Sequence, residues 1–332
     1  MIRITCFIAA LGCLLSTQTI QASELYTITD LGAGSSVLGI NKSGEVLANN
    51  SAGLPFLYLA GHEEVLPQPS GGVFAAMALN DLRQVVGYVN YDGELNYDLA
   101  IYSDGKLTVM KNLSGLYPIA INDAGQIAGD TVFNSGAFFY SNGVVTPIGT
   151  PPGYEGEPSV VGMNSSGEVV GFIDLSTGGQ QGFSYSNGHV RPVVPPGGVS
   201  STVGAINDSG EIVGVYYPSS TSYLGGNLFI DSRFGSKTLG LALNMPSEDE
   251  EDLPSAINNA GDIVGNAQTT VTEAAWVYHP GKGFSNLNND IAPNSGWSLF
   301  QAIGINGRGE IVGNGTLNGE QHGFLLTPEC RK

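Results

Sequence analysis

A ten-residue motif that occurs seven times limits the folds that this chain can adopt more than any other feature of its sequence. In its third copy, INDAGQIAGD (residues 121–130), an apolar residue and Asn precede a short polar stretch, Gly, and an apolar run that contains a second Gly. The copies are spaced by about 40–50 residues, a period typical of helical repeat arrays, leucine-rich horseshoes and propellers. The choice among these folds depends on whether the copies form helices or strands.

The local chemistry of the motif indicates a hairpin between two β-strands. Segments such as QIAG and EIVG are rich in β-branched residues, which favour strands. An Asn at the head of a turn can bond its own backbone two residues on, and a Gly three residues after it accepts the positive φ that closes a hairpin. The residues to which we assign this structural turn role are Asn41, Gly44, Asn80, Asn122, Gly125, Asn164, Gly167, Asn207, Gly210, Asn258, Gly261, Asn306 and Gly309.

Two further strands are predicted after each hairpin. A third apolar stretch, usually aromatic, ends on Asp-Gly or Asn-Gly, as in LAIYSDG (99–105) and AFFYSNG (137–143). These dipeptides are strong hairpin signals. A fourth stretch follows, such as KLTVMKNL (106–113) or VVTPIGTP (144–151). Four strands in about 42 residues match one blade of a propeller.

The two ends of the chain predict how the ring closes. The seventh repeat stops after its third strand, in GFLLTPECRK (323–332), whereas LYTITDLG (25–32) precedes the first hairpin at the place of a fourth strand. The N-terminal strand can therefore complete the last blade and leave no unpaired inner edge. We predict an all-β fold, a single seven-bladed β-propeller over residues 24–329. Its blades are expected near 33–70, 71–113, 114–156, 157–198, 199–246, 247–294 and 295–329, the last completed by strand 25–32.

The repeat also resembles a known family. The pattern IN-x-x-G-E/Q-I/V-V-G followed by an aromatic strand is similar to the bacterial extracellular HAF repeat, over about the whole chain after residue 22. That family is named for a His-Ala-Phe in the third strand. Here HGF (322–324) keeps the His, and other copies read GAF, QGF, LAI and AAW. The resemblance implies a propeller-like extracellular repeat protein and implies no particular activity.

Residues 1–22 have the layout of a secretory signal peptide. Arg3 precedes the apolar run ITCFIAALGCLL, and a polar stretch then ends at Ala22. We expect cleavage near Ala22 and a secreted or periplasmic protein, with acylation of Cys13 as the alternative. No later segment has the ~18 uninterrupted apolar residues of a transmembrane helix. Cys330 would be the one cysteine left after cleavage, so no internal disulfide is predicted.

The net charge of −18 argues against binding partners that are themselves anionic. With 30 Asp and Glu against 12 Lys and Arg, the chain repels phosphate backbones, and no nucleic-acid partner is predicted. A neutral or basic glycan or peptide fits this charge better. We expect the protein to be a monomer.

The connections between strands should differ on the two faces of the propeller. In each blade, the turn between the first and second strands and the turn between the third and fourth strands are short. Both turns lie on the same face of the propeller, which we call the short-turn face. The connection between the second and third strands, and the connection from the fourth strand to the next blade, carry the long insertions. Both lie on the opposite face, which we call the long-loop face. We expect binding on this face because the short turns of the other face leave little room for a site. The candidate ligand-binding residues are Tyr91, Tyr97, Tyr154, Tyr223 and Trp297. Packing of these aromatics against their own loops is the alternative.

No metal, cofactor or catalytic residue is predicted. Each turn supplies one or two carboxylates, fewer than calcium requires, and the four His lie on separate blades without metal-ligand or triad spacing. The recurring acids at the start of the second strands are interpreted as architectural: Glu45, Glu168, Glu211, Asp262 and Glu310. We predict a non-enzymatic ligand-binding or adhesion module. The alternatives are a structural or matrix propeller, or a carbohydrate-active hydrolase or lyase with Glu94, Glu155, Glu157 and the acidic run 248–252 at its channel.

Overall fold

Seven four-stranded antiparallel sheets make up the structure, a computed structural model that describes residues 25–91, 97–132, 136–176, 178–218, 226–243, 251–269 and 272–329. The expected signal peptide lies outside the described residues, as do Tyr223, Glu94 and part of the acidic run 248–252. In every sheet the strands follow one another in chain order, except that the last sheet takes its fourth strand from the N-terminal end.

The strands are numbered in chain order, starting with β1 (Tyr26–Ala33). Blade 1 contains β2 (Ser36–Ile40), β3 (Val46–Asn49), β4 (Pro55–Leu59) and β5 (His62–Val65). Blade 2 contains β6 (Gly72–Leu79), β7 (Val85–Tyr91), β8 (Asp98–Ser103) and β9 (Lys106–Ser114). Blade 3 contains β10 (Leu116–Ile121), β11 (Ile127–Thr131), β12 (Ala137–Ser141) and β13 (Val144–Ile148). Blade 4 contains β14 (Gly156–Met163), β15 (Val169–Leu175), β16 (Gln180–Ser186) and β17 (His189–Pro192).

The remaining blades follow the same order. Blade 5 contains β18 (Ser200–Ile206), β19 (Ile212–Tyr217), β20 (Asn227–Ser232) and β21 (Gly235–Gly240). Blade 6 contains β22 (Glu251–Ile257), β23 (Ile263–Gln268), β24 (Glu273–His279) and β25 (Gly283–Asn286), followed by a 3₁₀ turn at Leu287–Asn289. Blade 7 contains β26 (Trp297–Ile305), β27 (Ile311–Leu317), β28 (Glu320–Pro328) and, at its outer edge, β1.

The ring is closed by the pairing of the two ends of the chain. Strand β1 runs antiparallel to β28, with Tyr26 opposite Pro328 and Asp30 opposite Phe324. The imidazole of His322 in β28 lies 2.7 Å from the carboxylate of Asp30. The fold class predicted from the repeats, a seven-bladed propeller whose N-terminal strand completes the last blade, is confirmed.

Large apolar side chains of the third strands fill the space between neighbouring blades. The aromatic residues buried there are Phe56, Phe138, Phe183, Phe229, Trp276 and Phe324. Apolar residues of the second strands, such as Val170 and Val264, are also fully buried and pack in the same clusters. Each cluster combines residues of adjacent sheets, so a blade completes its core only against its neighbour.

A close backbone approach explains the second Gly of the motif. At Gly171 a side-chain Cβ would lie 2.0 Å from the carbonyl oxygen of Ser159 in the first strand and 2.9 Å from the ring of Phe183. The equivalent glycines of blades 2, 3, 5, 6 and 7 meet a first-strand carbonyl oxygen in the same way, whereas blade 1 has Ala48 at this place. A substitution at these glycines must therefore shift the first strand.

The first Gly of the motif has a different requirement, which gives a prediction. Gly125 has φ +70° and open space around the position of a Cβ, so only its backbone conformation resists substitution. We expect Gly125→Val to lower the free energy of unfolding by ~1–3 kcal/mol, because a β-branched residue is strained at positive φ. The exposed neighbour Asp123 accepts one hydrogen bond, from the N–H of Asp81, so Asp123→Ala should cost less than ~1 kcal/mol.

Chemical denaturation of the two variants beside the unsubstituted protein measures both effects. Equal and negligible losses would contradict the assignment of this turn.

Candidate functional site

The seven motif asparagines form a closed ring of hydrogen bonds around the propeller axis. The side-chain amide of each Asn donates from Nδ2 to the backbone carbonyl oxygen of the Asn in the next repeat. From Asn41 to Asn306 in order, the donor–acceptor distances are 3.3, 3.0, 3.4, 3.2, 3.0, 3.1 and 3.2 Å, the last of them returning to Asn41. All seven side chains are buried, so the ring is shielded from water.

The same asparagines also hold their own turns. In blade 5, Oδ1 of Asn207 accepts from the N–H groups of Ser209 and Glu211 at 3.0 and 2.9 Å, and its Nδ2 donates to the Glu211 carboxylate at 2.7 Å. Equivalent side-chain pairs link Asn to the residue four positions later in blades 1, 2, 3, 6 and 7. The interpretation of these second-strand residues as architectural fits this geometry.

The sequence reasoning found the turn role of the asparagines and missed their contacts between blades. One signal was present: Asp or Ser also suits the head of such a turn, yet all seven copies have Asn. Only an amide combines the turn acceptor with two N–H donors. The repeated choice of Asn therefore indicated a donor that the turn itself does not use.

A cavity of about 260 Å³ lies at the axis where the first turns converge on the short-turn face. The residue before each Asn forms its apolar wall: Ile40, Leu79, Ile121, Met163, Ile206, Ile257 and Ile305. The residue after each Asn forms its polar mouth: Lys42, Asp81, Asp123, Ser165, Asp208, Asn259 and Gly307. The expectation that the short-turn face leaves little room for a site is therefore wrong, because convergence of seven short turns encloses a space that no single turn could form.

The mouth of this cavity is occupied by the side chain of Lys42. Its ammonium lies 2.8 Å from a carboxylate oxygen of Asp81 and 3.5 Å from one of Asp208. These aspartates belong to blades 2 and 5, on opposite sides of the axis, so a single ammonium bridges the opening. These carboxylates raise the pKa of Lys42, with the hydrogen bond to Asp81 as the largest cause, and the side chain stays charged at neutral pH.

Asp208 in this mouth has a strongly perturbed pKa. Burial by itself would raise it, but hydrogen bonds from Asn259 and Ser165, together with the Lys42 ammonium, outweigh burial and lower the pKa of Asp208 to about 2. Two of these hydrogen bonds are the donation from the Asn259 amide at 3.0 Å and the donation from the Ser165 N–H at 2.9 Å. The ionised carboxylate is therefore the form that the folded protein favours.

A dependence of stability on pH follows. A carboxyl group whose pKa is lower in the folded than in the unfolded protein stabilises the fold at pH values above its unfolded pKa. This contribution to stability is lost as the pH falls from the unfolded pKa to the folded pKa. For Asp208 this window runs from the ordinary value of 3.8 down to about 2. In thermal melts over this window we expect Asp208→Asn to lose less stability than the unsubstituted protein does.

Asp104→Asn, in an exposed hairpin turn, is the matched control and should follow the unsubstituted protein. Parallel curves for all three proteins would contradict the assigned role of Asp208.

Arg83 is an exception among the seven turns. It has φ +60° at the position where the other six motifs have Gly. Its guanidinium lies 2.8 Å from the Glu45 carboxylate of the preceding blade and 3.0 Å from Glu64. Burial raises the pKa of Glu45 and Arg83 opposes that rise, so this cation compensates a buried carboxylate at the cost of a strained backbone.

The structure distributes the four described candidate ligand-binding aromatics over three blades. Tyr91 ends β7 and Tyr97 precedes β8, both in blade 2, whereas Tyr154 precedes β14 and Trp297 begins β26. All four lie at the long-loop ends of their blades and are half-buried. Tyr91, Tyr154 and Trp297 pack partly against their own cores, and Trp297 makes edge contacts with His322 and Phe324.

Tyr97 belongs to a cluster that sequence reasoning did not find. Its ring centroid lies 4.6 Å from that of Tyr88, which in turn lies 5.0 Å from that of Tyr117 in blade 3. All three side chains are half-buried. Tyr88 and Tyr117 lie in strands, where aromatic residues are common, so no local signal separated them from residues of the core.

Carboxylates and imidazoles in the described part of the chain have mainly structural partners. His279 pairs with Asp262 at 2.8 Å, and His322 pairs with Asp30 across the closure. Within the ranges that the structure describes, no three His, Cys, Asp or Glu side chains are grouped so that they could hold a metal ion. Glu155 and Glu157 are exposed at the start of blade 4, Glu157 within β14 at the end of that strand opposite to Met163 and Asn164.

Comparison with known proteins identifies the architecture. The chain is similar to the β-propeller domain of the Trilobed protease from Pyrococcus furiosus, at 8% identity and a TM-score of 0.57, over 93% of this chain and 95% of that one. The fold is a seven-bladed β-propeller. That domain is described as having an open velcro topology, whereas the ring of this propeller is closed by β1 and β28.

Two further solved structures resemble the propeller with lower TM-scores. YCF48 bound to a D1 peptide has 11% identity and a TM-score of 0.54, over 92% of this chain and 95% of that one. TolB from Acinetobacter baumannii has 17% identity and a TM-score of 0.46 over 76% of this chain, which spans 62% of TolB. At this level of identity the likeness to YCF48 shows the fold alone.

No family model matches the chain, and no curated protein matches it in sequence. Across the described ranges, none of the helical segments has the length and apolar character needed to cross a membrane.

Proposed function

We propose that this propeller is an exported, non-enzymatic binding module that takes a neutral or basic ligand on its long-loop face. The observation that carries the proposal is the set of half-buried aromatic side chains that reach the surface at the long-loop ends of the blades: Tyr91, Tyr97, Tyr117, Tyr154 and Trp297. Aromatic rings at a surface offer broad apolar contact with a polar edge, which suits sugars and peptides.

The opposite face is less suited to a ligand. The mouth of its axial cavity is bridged by the Lys42 ammonium, and the surrounding groups are engaged in hydrogen bonds between repeats. A ligand would have to displace this ion pair before entering. The long-loop face presents its aromatics without such a block.

Charge decides the class of ligand. The chain carries 30 acidic residues against 12 basic ones, so an anionic ligand would meet repulsion. Both an uncharged glycan and a neutral or basic peptide remain compatible. The peptide class is included because the similar propeller YCF48 has been solved with a D1 peptide bound.

Export is part of the same proposal, together with membership of the HAF repeat family. It is supported by the signal-like layout of residues 1–22 and by the predicted cleavage near Ala22. Fractionation of producing cells and N-terminal sequencing of the recovered protein test it. Full-length protein confined to the cytoplasm would contradict export.

Glycan and peptide arrays probed with the protein test the binding function. We expect ligands that are bound and not turned over, with affinity reduced by Ala substitution at Tyr97, Tyr154 or Trp297 where these residues contact them. Lys42→Ala is the control on the short-turn face and should leave binding unchanged. Loss of binding in the Lys42 variant alone, no binding on either array, or release of cleaved ligand would each overturn the proposal.

A further inference from the structure

We infer that Tyr88, Tyr97 and Tyr117 together form a platform that binds an uncharged glycan by stacking and hydroxyl hydrogen bonds. The inference rests on the proposed function and gives it a definite place and ligand class. The platform spans two blades, because Tyr88 and Tyr97 come from blade 2 and Tyr117 comes from blade 3.

The three rings are in close contact and are inclined to one another. The planes of Tyr88 and Tyr97 are inclined by 45°, and those of Tyr88 and Tyr117 by 37°. Tyr88 is the central ring of the three, in contact with the other two. The side chains of all three are half-buried, so their remaining exposed parts form a stepped apolar surface that a ligand can contact.

The backbone beneath the rings is firmly held. Tyr88 lies within β7, paired with Ala75 on one side and Leu99 on the other. The carbonyl oxygen of Tyr97 accepts a hydrogen bond of 2.8 Å from the N–H of Gly115, close to Tyr117 in the sequence. A surface that is already ordered loses little conformational entropy on binding.

The chemistry of the rings favours a ligand with both apolar faces and hydroxyl groups. Burial raises the pKa of Tyr88 to about 12, with a further contribution from Tyr117, so its phenol stays protonated at neutral pH. Each phenol can donate and accept one hydrogen bond beside an apolar ring. A pyranose presents the matching combination of C–H faces and hydroxyls.

Two carboxylates lie next to the platform and accept hydrogen bonds from neutral groups of the protein. Asp98, adjacent to Tyr97, accepts a hydrogen bond from the Ser114 hydroxyl. Asp130, paired with Tyr117 across the sheet, accepts from the Ser159 hydroxyl at 2.6 Å and the Val160 N–H at 2.8 Å. The charge of these carboxylates disfavours an anionic sugar, so the inference is confined to uncharged glycans.

Binding of neutral oligosaccharides, found on a glycan array and measured by isothermal titration calorimetry, tests the inference. We expect Tyr88→Ala, Tyr97→Ala and Tyr117→Ala each to weaken binding by roughly tenfold or more, as for aromatic hot spots. The Phe variants at the same positions keep the rings, so they should weaken binding less than the Ala variants do. Tyr140→Ala, a half-buried tyrosine toward the short-turn end of blade 3, is the matched control and should bind normally.

Melting temperatures of all variants separate loss of the site from loss of the fold. If glycan binding survives the three Ala changes but is lost in Tyr154→Ala or Trp297→Ala, the platform is wrong and the proposed function stands. If these tyrosines bind only peptides, the ligand class is wrong. If the array shows no bound glycan, the inference is overturned, and if a peptide array is also empty the proposed function is overturned with it.

Discussion

Removal of strand β1 is expected to open the propeller and to lower the free energy of unfolding by several kcal/mol, an amount comparable with the ~5–15 kcal/mol margin of a typical domain. The strand covers β28 along its length and contributes the buried side chains of Tyr26 and Leu31. Without it, β28 becomes an unpaired edge and the buried imidazole of His322 loses its contact with Asp30. Thermal and urea melts of a chain that begins at residue 34 measure the loss.

A chain that begins at residue 25 is the matched control, because it lacks the preceding segment and keeps β1 entire. It should melt like the unsubstituted protein, and a synthetic peptide of residues 25–33 added to the shorter chain should restore part of the lost stability. A shorter chain that melts unchanged would contradict the assignment of β1 to closure.

Breaking the asparagine ring at one position is expected to have the second largest effect. In Asn122→Ala the N–H groups of Ala124 and Gln126 lose their side-chain acceptor at 3.1 Å, and the contact with the Asn164 carbonyl oxygen is lost as well. Because this side chain is only 5% exposed, water replaces little of what is lost. We expect a destabilisation of ~2–4 kcal/mol, the sum of several buried unsatisfied groups.

The variant Asn122→Asp distinguishes the two roles of the side chain. The Asp carboxylate can still accept the hydrogen bonds of the turn, but it cannot donate. It would face the oxygens of Gln126 and Asn164, which accept hydrogen bonds from the Asn122 amide in the unsubstituted protein. If the ring between blades contributes as the geometry indicates, Asn122→Asp should lose nearly as much stability as Asn122→Ala in chemical denaturation. A loss below about 0.5 kcal/mol, the range of neutral surface changes, would assign the Asn to its turn alone.

Features confined to a single repeat were accessible from the sequence. The Asn–Gly turn, for example, closes through hydrogen bonds between residues at most four positions apart, such as Asn207 and Glu211. The positive φ of Gly125 likewise follows from the turn chemistry of its own motif. Closure of the ring could be inferred too. The last repeat lacks a fourth strand and the N-terminal end has one strand more than the first repeat needs, so pairing the two completes the last blade.

The candidate platform illustrates what sequence reasoning could not reach. Tyr97 was selected because it lies in a long insertion, but its partners Tyr88 and Tyr117 lie inside strands that read as ordinary parts of blades. Whether an aromatic side chain in a strand points into a core or to the surface depends on the angle between its blade and the neighbouring blade. The sequence selected Tyr154 and Trp297 by the same loop criterion, and the structure places them on other blades.

The repeat, the four-stranded blade and the closed ring can be derived from the amino-acid sequence, because they follow from strand periodicity, turn chemistry and the number of strands at each end. The contacts that the seven copies make with one another depend on the three-dimensional arrangement of the blades. The bond from Asn207 to Asn258 spans 51 positions, and Lys42 reaches Asp208 from the other side of the axis. Such contacts depend on the radius of the ring and the angle between its blades, which are set by side-chain packing between sheets and not by the sequence of any one repeat.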